Sequence, residues 1–531
     1  MLVGSSSTHS IREIFGKNLI DNDDAIRKVS ISGIAEHSRL IKGIIYPESI
    51  ESLRKCISDA YKNNIPVYPV SCGNNWGYGR SCPPVNDCII INLKKLNKIS
   101  NFDAELGSVE VEPGVTQGQL AKFLENTNWM MDCTGAGPDT SIIGNILERG
   151  FGHSPLGYRT RHFAVTKVVM ANGDVCDLTT PGRFIGRVGF SAGLHELFTQ
   201  NNIGVVVGIR LELVARQEES LRCIIKLNHK SSISKYIDAM RLLKAEQTIT
   251  ALPHIGNHYR MLGIFHQFDF DRKSSNLTFT EEELAELLKK YKLSPWMSSF
   301  AVLGSSSVAK AKAKRIKRQL KGIAKVYIIS YSTLNRINKI TNWLAKHVKW
   351  LPKINTINSN VEDIYHAMGI FEGIPNNVAL KGCYWRNKQS TPRTDIDPIE
   401  NGCGFMWVAP SLPMLGADVE KFMDLTEQEF NKYNFELAVT LTAVTSMLCQ
   451  AIISVYYDAS SVEETQKAKK LVESLRELYS KNKWIPYRRA VDEMPLDQYH
   501  YETGAVWLRK IIKKSVDKNN IISPGRYEFK E

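Results

Sequence analysis

No CxxC pair occurs in the sequence, although ten cysteines are scattered through it. That spacing argues against a zinc site. Free thiols in so long a chain fit a reducing compartment better than a disulfide framework. The N-terminal stretch MLVGSSSTHSIREIFG holds no apolar run long enough for a signal peptide, so the cytoplasm is the expected location. Internal repeats and low-complexity tracts are also missing, which leaves an ordinary globular chain. One segment, Leu437 to Tyr457, runs 21 residues without a charge, and its length alone would admit a membrane span. It is rich in β-branched residues, Thr and Ser, with a polar Thr-Ser and Cys-Gln break. Two strands joined by a short connector, and no membrane, are expected.

What is present is enough for a large core. The chain has 531 residues, 43% hydrophobic and 23% charged, a length that suggests two large domains or three smaller ones. The net charge of +13 raises the question of nucleic acid. However, the densest basic run, Lys310 to Lys321, has helical spacing with Ile316 and Leu320 four apart on an inward face. It reads as one solvated helix face, and no nucleic-acid partner is expected.

The stretch Pro69 to Arg80, PVSCGNNWGYGR, follows a strand-like IPVYPV and repeats glycine at 73, 77 and 79. Glycine admits positive φ and close approach of backbone to a ligand, and successive free N–H groups in such a loop make a concave anion site. A pyrophosphate is the expected guest. The spacing is neither G-x-G-x-x-G nor a P-loop, so a plain Rossmann or ATPase unit is not expected. A second glycine-rich stretch, Gly135 to Gly157, surrounds a short helical piece, SIIGNILERG. A loop of that length inside a compact domain is usually functional.

Around these loops the pattern is α+β. A helix is expected over 47–62, strands at CIIINL and SVEVEPGVT, a helix from Gln117, and a hairpin in TKVVMANGDVCDL turning at Ala-Asn-Gly-Asp. The loop TTPGRFIGRVGFSAG follows, then a helix and strand in HELFTQNNIGVVVGIRLEL. From about 216 the texture changes to strands alternating with longer charged helices at 232–245, 281–291, 308–321, 333–348, 417–433 and 461–480. From about 481 the tail is turn-rich, then helical.

In order, SCGNNWGYGR, VEPGVT, GPDTSIIGNILERGFGHSP, FTQNNIGVV and NIISPGRY, with GCYWRN, NGCGFMWVAPSLP and WIPYRR between, resemble the FAD-linked oxidase superfamily typified by vanillyl-alcohol oxidase and para-cresol methylhydroxylase. The similarity runs from about residue 35 to the end. It implies an FAD domain in two parts, 1–215 and the returning tail 481–531, with an inserted α/β cap over 216–480. It also implies that Ser71, Cys72, Gly73, Asn74, Asn75, Trp76, Gly77 and Tyr78 cradle the pyrophosphate. Pro113, Gly135, Pro138, Ser141, Gly144, Asn145, Gly150, Gly152, His153, Gly204, Val205 and Val206 would hold flavin and adenosine, with Arg526 balancing charge on the reduced ring.

For a para-substituted phenol, hydride leaves readily once the ring oxygen is phenolate, so donors and a cation are needed around that oxygen. Tyr78, Tyr487 and Arg488 match the family's phenolate-binding trio. His153 stands where relatives often have Tyr and can serve as base or donor. Asp139 is the nearest carboxylate to the position where relatives place an acid beside flavin N5, at a different offset, and Asp132 lies further back. Asn74 and Asn75 replace the histidine that many relatives use for covalent attachment, and Leu448, Cys449 and Gln450 offer none in the cap; non-covalent FAD is expected. The expected partners are a small aromatic alcohol or para-substituted phenol and either dioxygen or an electron-acceptor protein, with a homodimer compatible. A non-phenolic alcohol, hydroxy acid or amine is the alternative substrate. A basic binding protein without catalysis is the alternative from another class.

Overall fold

A computed structural model of the chain describes residues 6–35, 37–183, 193–271, 278–348, 354–392, 396–494 and 503–529. Most of the loop TTPGRFIGRVGFSAG lies outside these residues. Ser49 and Ser52 exchange the bonds of a capping box and start the helix Ile50–Lys62, which buries Leu53, Cys56, Ile57 and Ala60 on one face. The chain reverses through Asn64, at φ 53, into the strand Val67–Val70. That strand and Ile41–Ile45 flank Cys88–Asn92, all parallel. Buried along its whole length, Cys88–Asn92 reads as a continuous apolar run, as central parallel strands do. The glycine loop leaves the carboxyl end of Val67–Val70, the edge at which sheets of this kind bind ligands.

Beside this small sheet lies an antiparallel one of five strands, ordered Ile99–Asp103, Ser108–Val111, Val205–Glu212, Phe163–Val169 and Val175–Asp177. The two share a core: Leu53, Ile57, Val67, Ile89 and Ile91 pack with Val169, Val205 and Val207. Ile521 and Ile522 of the tail belong to the same cluster. Ile521 O accepts from Val67 N at 2.8 Å and Val67 O from Ser523 N at 2.8 Å. The last residues are thus built into the first sheet.

The middle of the chain forms an eight-stranded sheet in the order Ala324–Ser330, Glu219–Leu227, Trp296–Gly304, His254–Asn257, Ala438–Ala443, Leu448–Tyr457, Gly404–Pro413, Pro486–Arg488. Every neighbouring pair is antiparallel. The uncharged stretch at 437–457 is two of these strands, paired Ala438 to Ser454 through Ala443 to Cys449. Among the described residues no helix is long and apolar enough to cross a membrane. The basic helix Ser306–Gln319 buries Ala309, Ala313 and Ile316. Four α-helices among the described residues carry no expectation from the sequence: Ser6–Phe15, Asp23–Ser30, His258–Phe265 and Ile354–Met368.

Side chains alternate across a strand. Ile255, Val439, Leu441, Cys449, Ala451, Ile453, Val455, Met406 and Val408 face a core shared with Tyr236, Phe422, Leu471 and Tyr479 of the covering helices. The intervening residues, His254, Thr442, Trp407 and Tyr456, therefore project from the other side of the sheet, toward the glycine-rich loops.

Candidate active site

Between the two-sheet unit and that side of the eight-stranded sheet runs a cleft with about 1120 Å³ of space between its walls, part of it open to solvent. One wall is Ser71 to Trp76; another is Ser141, Gly144 and Asn145; Gly204 to Val206 close a third. Arg526 comes from the tail, and Trp407 and Arg488 from the large sheet. The close approach is built with glycine. Gly77 sits at φ +69, and a Cβ there would meet the Trp407 ring at 2.5 Å. A Cβ on Gly144 would lie 2.7 Å from Ser71 Oγ.

Ser71, Cys72, Gly73, Asn74, Asn75, Trp76, Pro113, Ser141, Gly144, Asn145, Gly204, Val205, Val206, Arg488 and Arg526 all line this cleft. Gly135, Pro138, Gly150 and Gly152 lie behind the walls. Pro138 O accepts from Gly118 N at 2.8 Å, and Gly152 leaves room for the Asp132 carboxylate. Asp132 is buried and bonded at 2.8 Å to Arg159 and at 2.9 Å to Ser154 N. Asp139 is exposed and is not part of the cleft wall; its carbonyl accepts from Asn74 at 3.2 Å.

Tyr78, Tyr487 and Arg488 come together. The Arg488 guanidinium carbon lies 4.5 Å from the Tyr78 ring centre, close enough for cation–π attraction. Tyr78 meets Trp407 edge-on at 5.5 Å and Tyr487 meets Phe151 at 5.1 Å. Burial, and then Tyr487, push the Tyr78 phenol well above its ordinary pKa, with Arg488 partly opposing. Burial raises Tyr487 as well. Both hydroxyls are therefore neutral donors. Tyr78 Oη, Trp407 Nε1 and Arg488 Nε are buried with no hydrogen-bond partner. Arg488 keeps the Glu148 carboxylate within ion-pair reach and Tyr78 has Tyr487 beside it, so the unanswered donor on the cleft wall is Trp407 Nε1, a cost that a ligand's acceptor would offset.

Glu148 has no expectation from the sequence, yet it organises the charge here. Its carboxylate pairs with Arg526, accepts from Tyr527 Oη at 2.8 Å and lies 3.6 Å from Arg488 Nε. Burial alone would raise the Glu148 carboxyl; Arg526 and Arg488 outweigh it and hold it below its ordinary value. Nothing local marks Glu148, because its cationic partners lie more than three hundred residues along the chain.

His153 packs on His254 with ring centres 4.0 Å apart. Burial, then His254 and Arg159, hold His153 well below its ordinary pKa, and burial takes His254 down to about 4. Both are neutral near pH 7. Among the described residues no cluster of metal-ligating side chains occurs, and all ten cysteines are free.

Residues 41–179 match the FAD binding domain family. The chain is 27% identical over 537 residues to 1'-carboxy-chondrochloren decarboxylase of Chondromyces crocatus, covering 98% of this chain and 96% of that protein. It is 24% identical over 489 residues to the flavoprotein subunit of 4-cresol dehydrogenase [hydroxylating] of Pseudomonas putida, covering 90% and 86%. D-2-hydroxyglutarate dehydrogenase of Arabidopsis thaliana matches over 178 residues at 26%, 33% of this chain and 32% of that protein. In fold it matches substrate-bound p-cresol methylhydroxylase, TM-score 0.82 at 22% identity over 98% and 96% of the two chains. It also matches 4-ethylphenol oxidase from Gulosibacter chungangensis, TM-score 0.84 at 17% identity over 99% and 98%.

Proposed function

Because this chain is an FAD-dependent oxidoreductase of the vanillyl-alcohol oxidase/para-cresol methylhydroxylase superfamily, we propose that its substrate is a para-substituted phenol oxidised at the carbon attached to the ring. The observation that carries this is the meeting of Tyr78, Tyr487 and Arg488 at one place, with neutral hydroxyls and a permanent cation. Two neutral donors and a guanidinium suit a developing phenolate, and their effect is large because the group is cut off from water.

FAD, when bound, supplies the acceptor for one hydride from the substrate. The chain's own residues do the rest. The glycine loop and the Ser141–Asn145 segment would hold the cofactor's diphosphate and ring system, and Arg526, on the same cleft wall, would offer it positive charge. Tyr78, Tyr487 and Arg488 would hold the phenol as its phenolate, the proton having passed to solvent on binding, so that the ring can push out the hydride to the acceptor. The aromatic walls of Trp407 and Phe151 exclude water and fix the ring plane. FAD is held without a covalent bond, since Asn74, Asn75 and Leu448 to Gln450 provide no histidine.

Oxidation of a hydroxy acid is the second possibility, supported by the partial match to D-2-hydroxyglutarate dehydrogenase. Anaerobic mixing separates the two. The flavin is expected to bleach with para-alkylphenols and not with simple 2-hydroxy acids. Arg488→Met is expected to lower kcat/KM for the phenol by about 10²–10³, the usual effect of removing one stabiliser of a developing oxyanion. No bleaching by any para-alkylphenol would overturn the assignment. Admitting air then shows whether dioxygen or another acceptor reoxidises the flavin.

A further inference from the structure

Arg260 stands in the first turn of the helix His258–Phe265, directly after the strand that carries His254. Its Nη2 donates to Ala379 O at 3.2 Å, but Nη1 is buried with no hydrogen-bond partner. Among the described residues no carboxylate forms an ion pair with it. The nearby acid, Asp132, is already bonded to Arg159 and Ser154. Arg260 as a whole is half-buried, but a buried guanidinium nitrogen with an unmet N–H is costly to keep.

The surroundings point the same way. Nη1 lies close against Gly382, where a Cβ would stand 2.6 Å from it and 3.3 Å from Tyr456 Oη. On the adjoining strand His254 stacks on His153, whose Nδ1 is a second buried polar atom without a partner. The spot adjoins the cleft: a Cβ on Gly135 would touch Ala379 at 3.1 Å, and the next residue, Ala136, is part of the cleft wall. Along the other direction, Phe151 touches Tyr487 while His153 touches His254. Two residues of chain span at most roughly 7 Å, on the order of the length of a para-substituted phenyl ring.

We propose that Arg260, with His254 and His153 beside it, is a subsite for a carboxylate carried on the substrate's side chain, so that the substrate class is a para-hydroxyphenyl acid. The inference rests on the phenol assignment above for the other end of the ligand. A carboxylate would accept from Arg260 Nη1 and, in the tautomer protonated there, from His153 Nδ1. The printed name of the Chondromyces relative, which contains a carboxyl group and a decarboxylase activity, is compatible with such a ligand.

The test is a titration of the FAD-loaded enzyme with three probes, read by perturbation of the flavin spectrum: para-ethylphenol, para-hydroxyphenylpropanoate and D-lactate. The wild type is expected to bind the phenolic acid at least tenfold more tightly than para-ethylphenol. Arg260→Met is expected to erase that preference, weakening the acid at least tenfold and para-ethylphenol less than threefold. Arg260→Lys is expected to retain part of it. If Arg260→Met does not load FAD, Gly382→Ala, which crowds Nη1, replaces it with the same expected loss. Equal binding of the two phenols by the wild type, or an equal loss for both in the variants, overturns the carboxylate subsite and leaves the phenol assignment standing. Response to D-lactate alone overturns the phenol assignment, and with it the para-hydroxyphenyl acid.

Discussion

Single residues set the charge of the cleft. Arg488 and Arg526 share the carboxylate of Glu148, so the wall keeps net positive charge for an anionic ligand while no cation is left bare. His254 shows the opposite strategy, a titratable ring kept neutral by burial. Its pKa in the folded chain is about 4 against an ordinary 6.5. The folded value is the lower one. Its contribution to stability is therefore full above about pH 6.5 and is lost as pH falls toward 4. The slope is about 1.4 kcal/mol per pH unit for one proton. Urea unfolding at pH 7.5 and 5 is expected to show that loss in the wild type and a shallower one in His254→Gln. Equal slopes would refute it. Of the residues discussed at this scale, Tyr78, Tyr487 and Arg488 are legible in the sequence through motif resemblance. Glu148, His254 and Arg260 are not, because their significance lies in partners rather than in neighbours along the chain.

Among the elements, the glycine loop is the most demanding. Gly73, Gly77 and Gly79 all have positive φ, and the loop brings two residues to Arg488: Asn75 Oδ1 accepts from its Nη2 and the Tyr78 ring lies against its guanidinium. At Gly77 a methyl group meets both a left-handed backbone and the face of Trp407 at 2.5 Å. Gly77→Ala is expected to cost about 2–4 kcal/mol, combining roughly 1 kcal/mol of backbone strain with 1–3 of overpacking. Because Trp407 lines the cleft proposed to take the cofactor, flavin content after purification is expected to drop as well as Tm; a fully loaded, equally stable variant would contradict this. The strands at 438–457 were readable from β-branched alternation. The helix His258–Phe265 was not, since it is only eight residues long and follows directly on a strand, with Asn257 both ending the strand and capping the helix.

The whole molecule is closed by its tail. Lys513, buried in the helix Thr503–Val516, donates to Asp517 at 2.7 Å and to the carbonyls of Asn202 and Ile522 at 2.8 Å each. It thereby ties the tail to the loop before Gly204 and to the residues that precede Arg526. Lys513→Met leaves the fully buried Asp517 without its cation and is expected to cost about 3–5 kcal/mol. Chemical denaturation reads the loss, and added FAD is expected to recover part of it by mass action. A variant as stable as the wild type would show that the tail is held by its apolar contacts alone.

By itself the sequence determined the alternation of strands and helices, the glycine-rich loop, the resemblance to FAD-linked oxidases and the choice of Tyr78, Tyr487 and Arg488 as candidates, since these depend on local periodicity, glycine backbone freedom and short motifs. Tertiary structure alone decided which charges meet. Arg488 reaches Asn75 across 413 residues of chain, Glu148 acquires two cations, and Arg260 is left with an unanswered donor. Pairing and its absence are properties of which faces pack together, and no stretch of chain carries that information by itself.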